Sequence, residues 1–219
     1  MKKTLSKKRA VILLSGGLDS TTTLCLTKSL GYKVHCLIFS YGQKHGKEVR
    51  KALCIARAAR AKSVVIKIKL PWSGSSLLVK GKKIPAGKIS RKKIPSTYVP
   101  GRNTIFISYA LSFAEANKCS RIFIGANAVD YSGYPDCRPG YFREFNRLLA
   151  KSSLGAVKIE TPLIRMSKKE IVLLAKKLKA PLHMTWSCYK GGKHPCGECD
   201  SCLLRAKGFR EAGIDDPVV

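Results

Sequence analysis

The chain has 219 residues, and its 42 lysines and arginines against 13 aspartates and glutamates give a net charge of +29. Hydrophobic residues make up 45% of the sequence, which is enough to bury a core and argues against generic disorder. No apolar run approaches the roughly 18 residues that a membrane helix needs. The basic start of the chain is followed by an apolar run too short for a secretory signal, so we expect a cytosolic protein with no membrane partner.

The positive charge has two interpretations that the sequence leaves open. Basic side chains that neutralise phosphates favour nucleic-acid binding. However, most of the excess is lysine spread along the chain, whereas sites that bind phosphates or bases favour the bidentate guanidinium of arginine. Lysines such as Lys168 and Lys169 are interpreted as solvated helix ends, and the dense basic segment 80–93 as an exposed loop. We therefore expect no specific nucleic-acid partner.

The first third of the chain alternates apolar segments of strand length with segments of helical periodicity. A glycine, Gly31, ends the first helical segment. Consecutive βαβ units predict an α/β fold, an open parallel sheet with right-handed crossovers and helices on both faces. The predicted elements are strand 9–14, helix 18–30, strand 33–39, helix 44–60 and strand 63–70.

The remaining segments begin with residues 71–98, whose glycines and prolines predict a long mobile insertion. Ser167 and Glu170 have the spacing of a capping box at the start of a helix, which Pro181 ends. We assign residues 1–184 to a nucleotide-binding and catalytic domain, and residues 185–219 to a small C-terminal four-cysteine zinc module. The predicted elements are helix 103–118, strand 121–125, polar loop 127–140, helix 141–152, strand 157–160, helix 167–179 and a short helix around 203–208.

The turn Ser15-Gly-Gly-Leu-Asp-Ser20 lies where the first strand gives way to a helix. Glycines there let the backbone approach a ligand, and the exposed N–H groups with the helix N-terminus form an anion site. Asp19 is suited either to cap the helix or to orient a Mg²⁺ ion. No lysine follows as in the common P-loop, and the glycine spacing is not that of a dinucleotide site.

The same six residues resemble the pyrophosphate loop of the ATP-pyrophosphatase enzymes, which adenylate an oxygen or carboxylate and release pyrophosphate. A tight strand–helix turn with a serine or aspartate cap is the structural alternative.

Nine cysteines are an odd number, which argues against a fully paired disulfide set. Cys25, Cys36, Cys54 and Cys119 lie on apolar faces and are predicted to be core residues, while Cys137 in the polar loop has no assigned role.

The other four cysteines crowd into the C-terminal segment with the spacing of metal ligands. Two Cys-x2-Cys steps suit a tetrahedral zinc–sulfur site, and four thiolates leave no open position, so one structural zinc per chain is predicted. An iron–sulfur cluster and redox thiols are the alternatives. The predicted ligands are Cys188, Cys196, Cys199 and Cys202.

These motifs together resemble the 7-cyano-7-deazaguanine synthase family of the queuosine-precursor pathway. The matching stretches occur in the family's order: residues 11–22, 39–45, 99–103, 125–138, 161–163 and 185–189, followed by the cysteines. Ser40 and Lys44 depart from the pattern, since the family usually has an acidic or amide residue and an arginine there.

The resemblance implies an adenine-nucleotide alpha-hydrolase-like fold and a homodimer. It also implies that ATP, ammonia and 7-carboxy-7-deazaguanine are the substrates and that the 7-nitrile is the product, formed through an adenylated acid and an amide.

The resemblance also assigns roles to individual residues. It implies catalysis by Ser15, Asp19, Ser20 and Arg102, with Mg²⁺ accompanying ATP. Three of the assignments have a structural alternative. His45 would then be a plain polar residue at a helix start, and Arg102 would be a guanidinium on the surface. The 130–138 loop would be a network of Asx turns. The implied ATP-binding residues are Leu14, Ser15, Gly16, Gly17, Leu18, Asp19, Ser20, Thr21, Thr22, Phe39 and Arg102, and the implied substrate-binding residues are His45, Asn103, Asp130, Tyr131, Asp136 and Arg138.

Two other functions use some of the same features. A tRNA-thiolating pyrophosphatase would share the loop, the cysteines and the basic surface, but it needs a reactive cysteine pair and a tRNA-binding appendage. A non-catalytic zinc-ribbon protein that binds nucleic acid would use the charge and the cysteines, but it would leave the nucleotide loop unexplained.

Overall fold

A computed structural model describes residues 8–79, 81–86, 94–129, 134–152 and 157–219. Strands and helices alternate along these residues, with boundaries within a few residues of the predicted ones. They are β1 Arg9–Leu13, α1 Leu18–Ser29, β2 Lys33–Ser40, α2 Lys47–Ala58, β3 Lys62–Lys67, α3 Arg102–Ala116, β4 Arg121–Ile124, α4 Pro139–Ser152, β5 Lys158–Glu160, α5 Lys168–Lys177 and α6 Asp200–Ala212.

The five strands form one parallel sheet in the order β3-β2-β1-β4-β5. The first strand lies in the middle, where Ile12 pairs with Cys36 of β2 on one side and with Phe123 of β4 on the other. The chain therefore winds outward in both directions from β1, and the strand order reverses between β1 and β4. Such a reversal opens a crevice at the carboxyl ends of the strands, which is where open α/β sheets bind ligands.

Both faces of the sheet are covered, as predicted. Val11 and Leu37 pack into one layer with Ile107 of α3, and α4 joins this layer. Ile12 points the opposite way and packs with Ile55 of α2 in the other layer, together with α1. Side chains alternate between the two layers because successive residues of a strand point to opposite faces.

The last helix is longer than the predicted segment 203–208, since α6 runs from Asp200 to Ala212. Gly208 does not end the helix: a Cβ there would lie 2.7 Å from the Lys168 side chain. The glycine instead lets α6 pack closely on α5, where Phe209 and Ile171 share a buried cluster. Gly213, with a φ of 64°, is the residue that ends α6. The predicted domain boundary after residue 184 stays a prediction.

The described parts of the predicted insertion 71–98 contain no helix or strand. Leu77 nevertheless packs into the α3 layer, and Ser75 and Thr97 are buried. Most of the basic segment, residue 80 and residues 87–93, lies outside the described residues. The predicted mobility of the insertion stays a prediction.

Among the scattered cysteines, Cys36 and Cys119 are buried as predicted and Cys25 is partly buried. The prediction was wrong for Cys54, which is exposed on α2. The buried side of α2 is formed by residues such as Ala52 and Ile55, and Cys54 lies off that stripe. No helix in the described ranges combines the length and the apolar character needed to span a bilayer.

Candidate active site

A cavity of about 310 Å³ lies at the carboxyl ends of β1, β2 and β4, at the crevice that the strand order predicts. Its walls come from the glycine turn, from α2, from the start of α3 and from the segment that leads to the cysteines. The residues assigned in the sequence that line it are Leu14, Ser15, Gly17, Leu18, Asp19, Ser20, Phe39, His45, Arg102 and Asn103.

The two serines of the glycine turn converge at the start of α1. Their hydroxyl oxygens lie 3.0 Å apart, and the Ser15 N–H donates to Ser20 Oγ at 3.2 Å. The Gly17 N–H donates to Ser15 Oγ at 3.4 Å. Gly17 is the N-cap residue of α1 and no side chain caps the helix, so Asp19 does not serve as a cap. The helix N-terminus and both hydroxyls therefore face the cavity as a cradle for an anion.

Close backbone contacts hold the turn in place. Gly16 has a φ of +82°, and a Cβ there would lie 2.8 Å from Ala52 N and from Glu48 O of α2. Gly125, after β4, approaches so closely that a Cβ would lie 2.9 Å from Ser20 N. The Trp186 N–H donates to Gly16 O at 2.8 Å, which attaches the cysteine segment to the turn.

Gly16, Thr21 and Thr22 do not line the cavity, although the resemblance assigned them to ATP binding. The Thr22 hydroxyl donates to Leu18 O inside α1, and Thr21 is fully buried. These residues therefore support the turn on the side away from the cavity.

Lys168 forms an ion pair with Asp19, with 2.5 Å between Lys168 Nζ and Asp19 Oδ2. The Lys168 side chain is only 11% exposed, so its interpretation as a solvated helix end was wrong. The predicted capping box is present: Ser167 Oγ accepts from Glu170 N, and Glu170 Oε2 accepts from Ser167 N. By fixing the start of α5, this box places Lys168 at the cavity.

Arg102 begins α3 and lines the cavity, so it is not a surface guanidinium. Its Nη1 donates to the Tyr41 hydroxyl at 3.1 Å, and the guanidinium carbon lies 5.6 Å from the centre of that ring. Among the described residues, no carboxylate lies within ion-pair distance of Arg102. A guanidinium is always charged in proteins, so this cation is available to an anionic ligand.

Glu48 and His45 line the cavity from the start of α2 and the loop before it. Burial raises the pKa of Glu48 to about 7, and the Arg102 guanidinium opposes this rise. Burial lowers the pKa of His45, which favours the neutral imidazole. The His45 ring lies directly over Gly191, so any side chain there would collide with it.

Asp136 lies behind the cavity and supports Asn103. Its Oδ2 accepts from the Asn103 N–H at 3.1 Å, and Asn103 Nδ2 donates to the Asp136 carbonyl at 2.9 Å. The buried Asp136 Oδ1 has no hydrogen-bond partner within the described ranges. Arg138 is exposed and does not line the cavity, and Asp130 and Tyr131 lie outside the described residues.

Cys137 lines the cavity next to Asn103, whose Nδ2 lies 3.4 Å from its sulfur. Burial raises the pKa of Cys137 to about 11, so the thiol stays protonated. A protonated thiol is a poor nucleophile.

The four C-terminal cysteines form one cluster. Their sulfur atoms all lie within 4.8 Å of one another. The N–H groups of Lys190 and Cys196 point at Cys188 Sγ, each at 3.4 Å. Hydrogen bonds from Cys199 and Cys202, with these backbone groups, lower the pKa of Cys188. Four close sulfurs with N–H donors around them suit a metal ion that prefers thiolate ligands.

The segment before the cysteines forms one wall of the cavity. The Trp186 indole N–H donates to the Cys188 carbonyl at 2.9 Å, and the Lys47 ammonium lies 3.3 Å from the Trp186 ring centre. Arg205 of α6 also lines the cavity and binds both Thr185 and the Asp216 carboxylate. The metal cluster and the cavity are therefore joined through a few buried side chains.

The cavity residues that were missed in the sequence include Glu48, Lys168, Trp186 and Arg205. Glu48 carried one usable signal, an acid at a helix start in a chain with few acids. Lys168 carried another, since it follows the capping serine of a predicted helix. Trp186 lies within a stretch that resembles the family, whereas nothing in its neighbourhood marks Arg205.

The chain matches the family model described as "Queuosine biosynthesis protein QueC" over residues 9–213. It belongs to this family. The 7-cyano-7-deazaguanine synthase of Thermoplasma acidophilum is 46% identical over 220 residues, which cover 98% of this chain and 92% of that protein. The synthase of Syntrophus aciditrophicus is 50% identical over 224 residues and covers 96% of each chain. The family predicted from the motifs is thereby confirmed.

A solved structure from Methanocaldococcus jannaschii, described as a predicted subunit of tRNA methyltransferase, has a TM-score of 0.51 to this QueC family member. The match covers 77% of this chain and 74% of that one at 18% identity. At this identity the likeness shows a shared fold alone.

Proposed function

We propose that the chain is an ATP-dependent 7-cyano-7-deazaguanine synthase of queuosine-precursor biosynthesis. It converts 7-carboxy-7-deazaguanine and ammonia into 7-cyano-7-deazaguanine through an adenylated acid and an amide. The observation that carries the proposal is one cavity in a QueC family member where the Ser15–Ser20 hydroxyl pair meets Arg102, a cation without a carboxylate partner among the described residues.

A carboxylate is a poor electrophile, so its oxygen is first adenylated by ATP and pyrophosphate leaves. Ammonia then displaces AMP to form the amide, and a second adenylation turns the amide oxygen into a leaving group. Negative charge develops on the α-phosphate and on pyrophosphate in both adenylations. The Ser15 and Ser20 hydroxyls, together with the N-terminus of α1, are placed to stabilise that charge.

The charged side chains of the cavity are suited to bind the metal ion, the phosphates and the substrate carboxylate. Asp19 is suited to orient a Mg²⁺ ion that accompanies ATP, and Lys168 beside it is suited to bind a phosphate oxygen. Arg102 offers a bidentate donor to the substrate carboxylate or the phosphate. Asn103 and His45 are proposed to contact the deazaguanine, with Asp136 holding Asn103 in place.

Zinc is the ion that we propose for the cysteine cluster, because four thiolates satisfy its tetrahedral preference and leave no open position. It would be held by Cys188, Cys196, Cys199 and Cys202 and would stabilise the fold of this segment. The segment in turn supplies Trp186 and Tyr189 to the cavity wall.

The proposal is tested by incubating the protein with labelled ATP, ammonium and 7-carboxy-7-deazaguanine. AMP and the nitrile are the expected products. Ser15→Ala and Asp19→Ala should abolish turnover, while Ser29→Ala, at the exposed end of α1, serves as the matched control.

Absence of acid-dependent AMP in the wild-type protein would refute the proposal. AMP that depends on tRNA instead would favour a tRNA-thiolating enzyme. The homodimer and the cytosolic location stay predictions.

A further inference from the structure

Glu48 is a cavity carboxylate to which the proposed reaction has so far assigned no role. Among the described residues that line the cavity, the acidic ones are Asp19 and Glu48. Asp19 is paired with Lys168. The Glu48 carboxylate, by contrast, has no hydrogen bond or ion pair within the described ranges. The α2 backbone at Glu48 packs against Gly16 of the glycine turn, which fixes the point from which the side chain extends.

The proposed chemistry requires a proton acceptor in this cavity. Ammonium brings a nitrogen that carries only protons, and the nitrile nitrogen carries none, so every N–H proton must be removed. The Lys168 and Arg102 side chains are cationic and cannot accept a proton. The His45 ring packs directly over Gly191, on the segment that carries the cysteines.

We infer that the Glu48 carboxylate accepts the protons that the ammonia nitrogen loses, and that Glu48 is therefore a catalytic residue. This inference rests on the proposed synthase function. In the amide-forming step, ammonium first gives one proton to Glu48, which passes it to water, and this frees the nitrogen lone pair. The lone pair forms the C–N bond, the C–O bond to AMP breaks, and AMP leaves with that electron pair. The second proton that the nitrogen then releases also passes to Glu48 and on to water.

The same acceptor serves the nitrile-forming step. After the amide oxygen has been adenylated, the remaining N–H protons leave by way of Glu48. The C–O bond to AMP breaks, AMP again takes the electron pair, and the carbon–nitrogen triple bond forms.

The surroundings of Glu48 favour this role. Burial raises its pKa to about 7, which suits proton exchange near neutral pH. The Arg102 guanidinium lowers the pKa, and the Cys188 sulfur adds a smaller rise. The other titratable or charged groups lining this cavity in the described ranges are Asp19, Tyr41, Lys44, His45, Tyr134, Cys137, Lys168, Tyr189 and Arg205.

The test compares Glu48→Gln, Glu48→Asp and the control Glu144→Gln, which removes an exposed acid of α4. Acid-dependent exchange of labelled pyrophosphate into ATP measures adenylation, which moves no N–H proton. Amide and nitrile formation with ammonium measures the proposed step. Hydroxamate formation with hydroxylamine measures aminolysis by a nucleophile that is already unprotonated at neutral pH.

Glu48→Gln should retain pyrophosphate exchange and lose ammonium-dependent product by about 10²–10⁴-fold, the usual contribution of general base catalysis. Hydroxylamine should suffer a smaller loss, Glu48→Asp should recover part of the ammonium reaction, and Glu144→Gln should match the wild type. Pyrophosphate exchange also reports that the variant is folded.

Wild-type product formation by Glu48→Gln would overturn the inference and leave the synthase function standing. An equal loss of exchange and of ammonium-dependent product would also overturn it, since Glu48 would then act in binding or folding. If the wild-type protein itself shows no acid-dependent exchange, the proposed function fails and the Glu48 inference fails with it.

Discussion

Substitution of Gly16 by alanine tests whether the glycine turn is held by its contact with α2. Two effects combine at this position: the backbone has a φ of +82°, and the new Cβ would lie 2.8 Å from Ala52 N and Glu48 O. Gly31 provides a matched control, since its φ is +83° and a Cβ there would meet no atom within 4 Å. The two variants therefore share the backbone penalty and differ in the collision.

The magnitude follows from these two terms. An alanine in the left-handed region costs about 1–2 kcal/mol, which both variants incur. Overpacking adds about 1–3 kcal/mol at Gly16, because the colliding atoms are backbone and cannot rotate away. We expect Gly31→Ala to lower the free energy of unfolding by about 1–2 kcal/mol and Gly16→Ala by about 2–5 kcal/mol. For a chain of this length each kcal/mol lowers the Tm by about 2–4 °C.

Thermal unfolding monitored by circular dichroism, with AMP formation measured well below each Tm, checks both parts. Gly16→Ala should unfold at a lower temperature than Gly31→Ala and should also lose turnover, because the turn must move away from α2. Equal Tm values for the two variants, or full turnover by folded Gly16→Ala, would refute the reasoning.

Three further predictions concern the buried ion pair of α6, the metal cluster and Glu48. Arg205→Met leaves the Asp216 carboxylate, which is 8% exposed, without its ion-pair partner. Unfolding in urea should therefore show that the free energy of unfolding falls by about 3–5 kcal/mol. The control Arg210→Met, on the exposed side of α6, should leave the free energy of unfolding almost unchanged. Elemental analysis should find about one zinc per chain. Removal of the zinc by a chelator should lower the Tm, because metal binding contributes to folding. An unchanged Tm, or iron with visible absorbance, would contradict the zinc prediction. Because burial raises the pKa of Glu48 from 4.5 to about 7, its ionisation opposes folding. The stability of the wild type relative to Glu48→Gln should therefore fall as the pH rises between those values and then level off, and a pH-independent difference in urea unfolding would show that the carboxyl is not perturbed.

Features encoded by neighbouring residues were predicted correctly. The alternation of strands and helices follows from hydrophobic periodicity, and the capping box at Ser167 and Glu170 follows from a spacing of three residues. The cysteine cluster likewise follows from its local spacing. Gly208 shows the limit of such patterns: a glycine in a helix predicts its end, yet here the glycine serves a contact with α5 that only the folded chain reveals.

The cavity itself could be predicted only in part. The glycine turn, Arg102 and Asn103 lie in recognisable motifs, and they meet at one site. The exposure of Lys168 was predicted wrongly because the exposure of a lysine depends on its neighbours in the fold. Lys168 and Asp19 are 149 positions apart in the chain, yet their side chains form an ion pair. Asp136 was assigned to the substrate, which stays a prediction; in the fold its Oδ2 accepts from the Asn103 N–H at the start of α3.

The net charge of +29 likewise shows what the sequence determines and what it leaves to the fold. By itself the sequence determined the parallel α/β class, the phosphate-type turn, the four-cysteine cluster and the family, because each is written in short stretches of chain. Only the tertiary structure decided which few of the 42 basic residues face the cavity and which acid stands there without a partner. The physical reason is that a parallel sheet brings the carboxyl ends of distant strands to one edge. Burial at that edge then determines the partner and the pKa of each side chain.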